Sequence, residues 1–107
     1  MPRENRLIVF DHGELYHAIY SLCSNKGLKM PPQGNINKVS FADSNSKLIV
    51  IDIENNLKQV TKQEEYGRDF IAAALMLLCR GLGIPLPKVA NKAVSIVEGK
   101  IALRIKI

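Results

Sequence analysis

Two histidines, two cysteines and ten carboxylates are the side chains of this sequence that could carry acid–base, nucleophilic or metal chemistry. His12 and His17 stand five positions apart, whereas two metal ligands on one helix face must be three or four apart. Cys23 and Cys79 each fall within an apolar run, which suits small buried hydrophobes in a reducing compartment better than nucleophiles or a disulfide framework. Asp11 and Glu14 have the spacing of a helix capping box. Glu64, Glu65 and Asp69 gather where the main helix should start, and there they would complement its dipole. Asp52 interrupts an apolar strand and would become catalytic only in a cleft shared with a histidine or cysteine. Arg80-Gly81-Leu82-Gly83 holds two glycines, but after a helix instead of a strand and without a third glycine in register, so it reads as a helix stop and not a phosphate loop. The expectation is a protein without catalytic, metal or cofactor-binding residues, and not an enzyme.

Charge points elsewhere. Of the net +5, none comes from residues 1–79, where nine Lys/Arg balance nine Asp/Glu. Residues 80–107 hold Arg80, Lys88, Lys92, Lys100, Arg104 and Lys106 against a lone Glu98. Such segregation favours an acidic partner. The candidate contacts are therefore these six cations. Tyr16 and Tyr20, one helical turn apart beside an apolar stripe, are candidate interface residues because tyrosine gives contact area at small entropic cost. The leading functional expectation is a small binding module whose basic C-terminal hairpin meets a protein or another acidic partner.

Leu82-Gly83-Ile84-Pro85, followed by Val89, Ala90, Ala93 and Val94, resembles the second half of a helix-turn-helix, with the alanine-rich helix over residues 70–79 before it. The resemblance covers about a quarter of the chain. It implies a DNA- or RNA-binding domain in which Lys88, Asn91 and Lys92 face the major groove, and in which the 101–107 strand is a wing bearing Arg104 and Lys106. Against this, Val94-Ser95-Ile96-Val97 is β-branched and prefers strand to helix.

The elements that must position these residues follow from periodicity. Arg6–Phe10 reads as a short buried strand. A helix capped by Asp11 carries Leu15, Ala18, Ile19 and Leu22 on one stripe and stops at Gly27. Strands are expected over residues 38–42 and 48–53, the second covered on both faces, with a third near 57–61. The long helix should begin between Glu64 and Gly67. It is apolar all round from Phe70 to Cys79, so either layers enclose it or one side meets another chain, and a homodimer is compatible with it. After a short helical turn, Lys92–Val97 and Lys100–Ile107 should pair across Glu98-Gly99, with Ile101, Leu103, Ile105 and Ile107 on one face and Lys100, Ala102, Arg104 and Lys106 on the other. The expected fold is a single α+β domain over 1–107: an antiparallel sheet of four to five strands packed by two main helices, in the order β-α-β-β-(β)-α-β-β. Its core should include Ile8, Phe41, Ile49, Ile51, Phe70, Ala74, Leu77 and Leu78. The start of the chain has no apolar stretch followed by a cleavage site, and the longest apolar run is ten residues where a bilayer needs about twenty, so a cytoplasmic, non-membrane protein is expected.

Overall fold

A computed structural model describes residues 5–43, 45, 47–86 and 91–106. The elements are β1 (Asn5–Val9), α1 (His12–Lys26), β2 (Asn35–Phe41), β3 (Leu48–Asn55), β4 (Val60–Gly67), α2 (Arg68–Gly81), β5 (Asn91–Val97) and β6 (Lys100–Lys106). The fold is α+β, but its strands form two antiparallel three-stranded sheets, β1–β6–β5 and β2–β3–β4, where one sheet was expected. The cause lies in the connections. Turns join β2 to β3, β3 to β4 and β5 to β6, so these neighbours pair locally, whereas α1 and α2 each carry the chain from one set of strands to the other. The two helices pack on each other, α1 also against β2 and β6, α2 against β4 and β5.

α1 starts as its spacing predicts. The Glu14 amide donates to Asp11 Oδ1 at 2.7 Å and the Asp11 amide to Glu14 Oε1 at 2.9 Å, and Gly27 ends the helix at φ 66°. Leu15, Ala18, Ile19, Leu22 and Cys23 are buried. At the first helical position His12 reaches both sheets: Nδ1 lies 3.0 Å from the Ile36 carbonyl of β2 and Nε2 3.2 Å from the Gly99 carbonyl in the β5–β6 turn. A neutral imidazole donates to one of these oxygens at a time.

α2 begins after Gly67, while Thr61, Glu64 and Glu65 belong to β4. Only Asp69 of the three acidic residues therefore lies in the first helical turn. The buried stripe is Ile71, Ala74, Leu75 and Cys79, whereas Phe70, Leu77 and Leu78 are half-buried at its margin. A segment apolar on every side does not encode which side faces inward, and the stripe is rotated from the expected one by about one position. β3 is central, yet only Ile49, Ile51 and Ile53 are buried; Leu48, Val50, Asp52 and Glu54 remain half-exposed on its other face. The expected cover on both faces is thus absent among the described residues. β2 begins earlier than its alternation suggests, at Asn35, and its register slips between Ile36 and Lys38. Ile8 and Phe41, expected in the core, pack at its edge, and Phe10, Ile36 and Val94 are buried instead.

Arg68 joins the two sheets opposite β1. Its amide donates to the Lys47 carbonyl at 2.8 Å, Nη2 donates to the Val94 carbonyl of β5 at 2.9 Å, and the guanidinium lies 5.4 Å above the Phe41 ring. No helix among the described residues is long and apolar enough to cross a membrane.

Candidate binding face

β6 is the middle strand of its sheet, so the alternation of its sequence sorts side chains to two sides. Ile101, Leu103 and Ile105 point into the core and are fully buried. Lys100, Arg104 and Lys106 point the other way and are exposed, while Ala102 on the same side is buried and Ile107 lies outside the described residues. The register shows what surrounds them. Lys106 lies between Asn5 and Asn91, Arg104 between Leu7 and Ala93, Ala102 between Val9 and Ser95, and Lys100 beside Val97. No carboxylate occurs in these rows. Arg104 and Lys106 stand about 7 Å apart along the strand, with Lys100 about 14 Å from Arg104. The charged groups of these three residues form no hydrogen bond or ion pair with another described residue. Leu7 and Val9 add an apolar margin, 44% and 45% exposed. Among the described residues β1 is consequently an edge strand with no neighbour on its other side, which corrects its reading as a buried strand. Neither its exposure nor its pairing with β6 is encoded in Arg6–Phe10, where five residues carry little alternation.

The other candidate contacts lie elsewhere. Lys92 pairs with Ile105 and so occupies the side of β5 opposite to Asn91, where it borders two surface cavities, one shared with Arg68 and Asp69 and one with Met76 and Arg80. Arg80 is exposed in the last turn of α2. Lys88, with residues 87–90, lies outside the described residues. The structure therefore brings together Asn91, Lys100, Arg104 and Lys106 and separates Arg80 and Lys92 from them. The helix-turn-helix resemblance fails from residue 91 onward: Asn91–Val97 is a strand in full register with β6, so Asn91 and Lys92 sit on no recognition helix. The β-branched residues and the partner supplied across Glu98-Gly99 outweigh the turn-like Leu-Gly-Ile-Pro.

Tyr16 and Tyr20 stack with centroids 6.4 Å apart and line a cleft with Asn35 and residues 54–57, away from the basic row. Tyr16 donates its hydroxyl to the Pro32 carbonyl at 3.0 Å, and burial, then the nearby Tyr20, raises its pKa. It secures the loop after α1; Tyr20 is 48% exposed.

Asp52 accepts from Gln63 Nε2 at 3.1 Å on the half-exposed face of β3. Cys23 and Cys79 are free and buried, and burial raises both thiols. His17 borders a cavity of about 390 Å³ between the helices with Ser21, Asn25 and Leu77, without a carboxylate or thiol in its lining. Among the described residues no three His, Cys, Asp or Glu side chains cluster to hold a metal ion. No family model matches the chain, and neither does any curated protein or solved structure.

Proposed function

We propose that this chain is a non-enzymatic binding module that meets an acidic protein partner with the outward face of its β1–β6–β5 sheet. The observation that carries this reading is the row Lys100, Arg104 and Lys106 on the middle strand, exposed and without a carboxylate beside it in the register. Cations in such a row steer an acidic partner to the face and fix its orientation, and the exposed Leu7 and Val9 give it apolar area to cover. Nucleic acid fits the face less well. The rows contain no aromatic ring on which a base could stack, and the recognition helix is gone from residue 91 onward, so only phosphate contact remains.

The test is fluorescence anisotropy of a labelled oligoglutamate peptide of about fifteen residues at low salt, against the native chain and a K100E/R104E/K106E variant. The reading expects binding that weakens as salt rises and falls at least about tenfold in the variant. A control reversing exposed lysines elsewhere, K26E/K29E/K58E, should change affinity less than threefold. Equal losses in both variants would reduce the effect to net charge and end the assignment to this face. Tighter binding of an oligonucleotide under the same conditions would move the reading to nucleic acid.

A further inference from the structure

The two edges of the β1–β6–β5 sheet differ in a way that bears on how a partner attaches. The Phe10 amide donates to the Ile101 carbonyl at 3.0 Å, so Phe10 and Ile101 form a hydrogen-bonded pair. In an antiparallel ladder such pairs alternate with non-bonded ones. Ile8–Leu103 and Arg6–Ile105 are then bonded pairs too, and the backbone N–H and C=O groups of Leu7 and Val9 point away from β6 to the open side. The same alternation turns the backbone groups of Val94 to the open side of β5, which is where the Arg68 guanidinium meets the Val94 carbonyl at 2.9 Å. One edge is therefore stoppered by an arginine. At the other edge, no described group bonds to the backbone of Leu7 or Val9. Leu7 and Val9 are exposed and apolar and no proline or bulge interrupts the strand, so what blunts this edge is its length of five residues and the inward Arg6, whose guanidinium donates to the Pro85 carbonyl at 2.9 Å.

We propose that the β1 edge accepts an extended segment of the partner as a fourth strand of this sheet, with acidic residues at alternate positions on its outward side. The proposal rests on the reading of the basic face given above and specifies the partner's form. A strand added beside β1 runs about 10 Å from the backbone of β6. Its outward side chains stand beside the short Leu7 and Val9, with the longer Arg104 and Lys106 rising behind them and able to lean over to carboxylates. Its inward side chains continue the row of Ile8, at the margin of the core, and of Arg6, which donates to the Pro85 carbonyl, so an apolar residue fits beside Ile8. Backbone pairing supplies affinity and the alternating side chains supply selectivity, as in strand addition generally. The charge of the face selects an acidic strand over a second copy of this chain, whose own β1 would bring another Arg104 and Lys106 to the same sheet.

The experiment compares three labelled nonapeptides with the same set of side chains by anisotropy: one alternating Glu and Val, one with the same residues in two blocks, and the alternating one with every second amide methylated on the side that would face β1. The proposal expects the alternating peptide to bind roughly tenfold more tightly than either of the others, the worth of one or two net backbone hydrogen bonds. It also expects Leu7→Pro, which removes an open-side N–H without touching the β6 ladder, to lose the preference while Leu7→Ala largely keeps it. The methylated peptide gives the answer without altering the protein, so the test stands even if Leu7→Pro does not fold. Three equal affinities that all fall in K100E/R104E/K106E would overturn strand addition and leave the basic face standing. Affinities unmoved by that triple reversal would overturn the basic-face reading itself. Peptide-independent dimers broken by Leu7→Pro would give the edge to a second copy and refute the acidic segment.

Discussion

Arg68→Ala should be among the most costly single changes outside the core, because Arg68 is where β4, α2 and β5 meet. The substitution removes a charged hydrogen bond of 2.9 Å to the Val94 carbonyl and a guanidinium 5.4 Å above the Phe41 ring. A hydrogen bond from a charged group contributes about 1.5–3 kcal/mol when buried; Arg68 is half-buried, which brings it to about 1 kcal/mol. The ring contact adds about 0.5–1 kcal/mol. The sum is a loss of roughly 2 kcal/mol, or about 10 °C in Tm for a chain of this size. Arg68→Lys keeps the charge but loses the plane and fork, and should lose about half as much. Urea unfolding of the native chain, Arg68→Ala, Phe41→Leu and the double variant measures both the total and the coupling, expected near 0.5–1 kcal/mol. A destabilisation of Arg68→Ala below about 0.5 kcal/mol, with no coupling to Phe41, would refute the claim that this side chain fastens the two sheets together.

Gly34 has φ 148° and a Cβ built there would collide with the Glu54 carbonyl and press on Ile53, so Gly34→Ala should destabilise by about 1–3 kcal/mol, read as a lower denaturation midpoint. Tyr66, stacked on Phe70 at 5.4 Å, has its pKa pushed up to about 12 from 10.0, by burial first and then by the charge of Glu64. Because the unfolded chain loses this proton more readily, the contribution of Tyr66 to stability is intact below pH 10 and declines as pH rises from 10 through 12. Tyr66→Phe should flatten that alkaline decline, and tyrosinate absorbance of the native chain should show a late step that the variant lacks. The Ser95 hydroxyl is buried without a hydrogen-bond partner among the described residues, so Ser95→Ala should leave Tm unchanged or raise it by a few degrees.

Much of this architecture is legible in short-range patterns. The Asp11/Glu14 box, the stop at Gly27 and the turn at Glu98-Gly99, with φ values of 51° and 77°, are local solutions that a few neighbouring residues specify. The alternation of Lys100–Lys106 likewise announces which residues of β6 share a side. Long-range pairing leaves no such mark. Nothing in Arg6–Phe10 says that it flanks β6, so the presence of Leu7 and Val9 on the candidate face, and the open backbone beside them, could not be read. The uniform apolar character of Phe70–Cys79 conceals the phase of α2 for the same reason that it guarantees a helix in the core. Position in the chain groups Lys92 with its basic neighbours, and only its register with the buried Ile105 shows that it lies on the core side of the sheet, away from them.

The most direct test of the central claim is an amide nitrogen–proton NMR titration of the chain with the oligoglutamate peptide at low salt. The account predicts the largest shifts along residues 100–106 and 5–9, with smaller ones in 91–97, and little change at Lys62 of β4 or at Lys47 and Lys58 in the turns of that other sheet, all three exposed. Shifts centred on β2–β3–β4, or spread evenly over every exposed lysine, would contradict it.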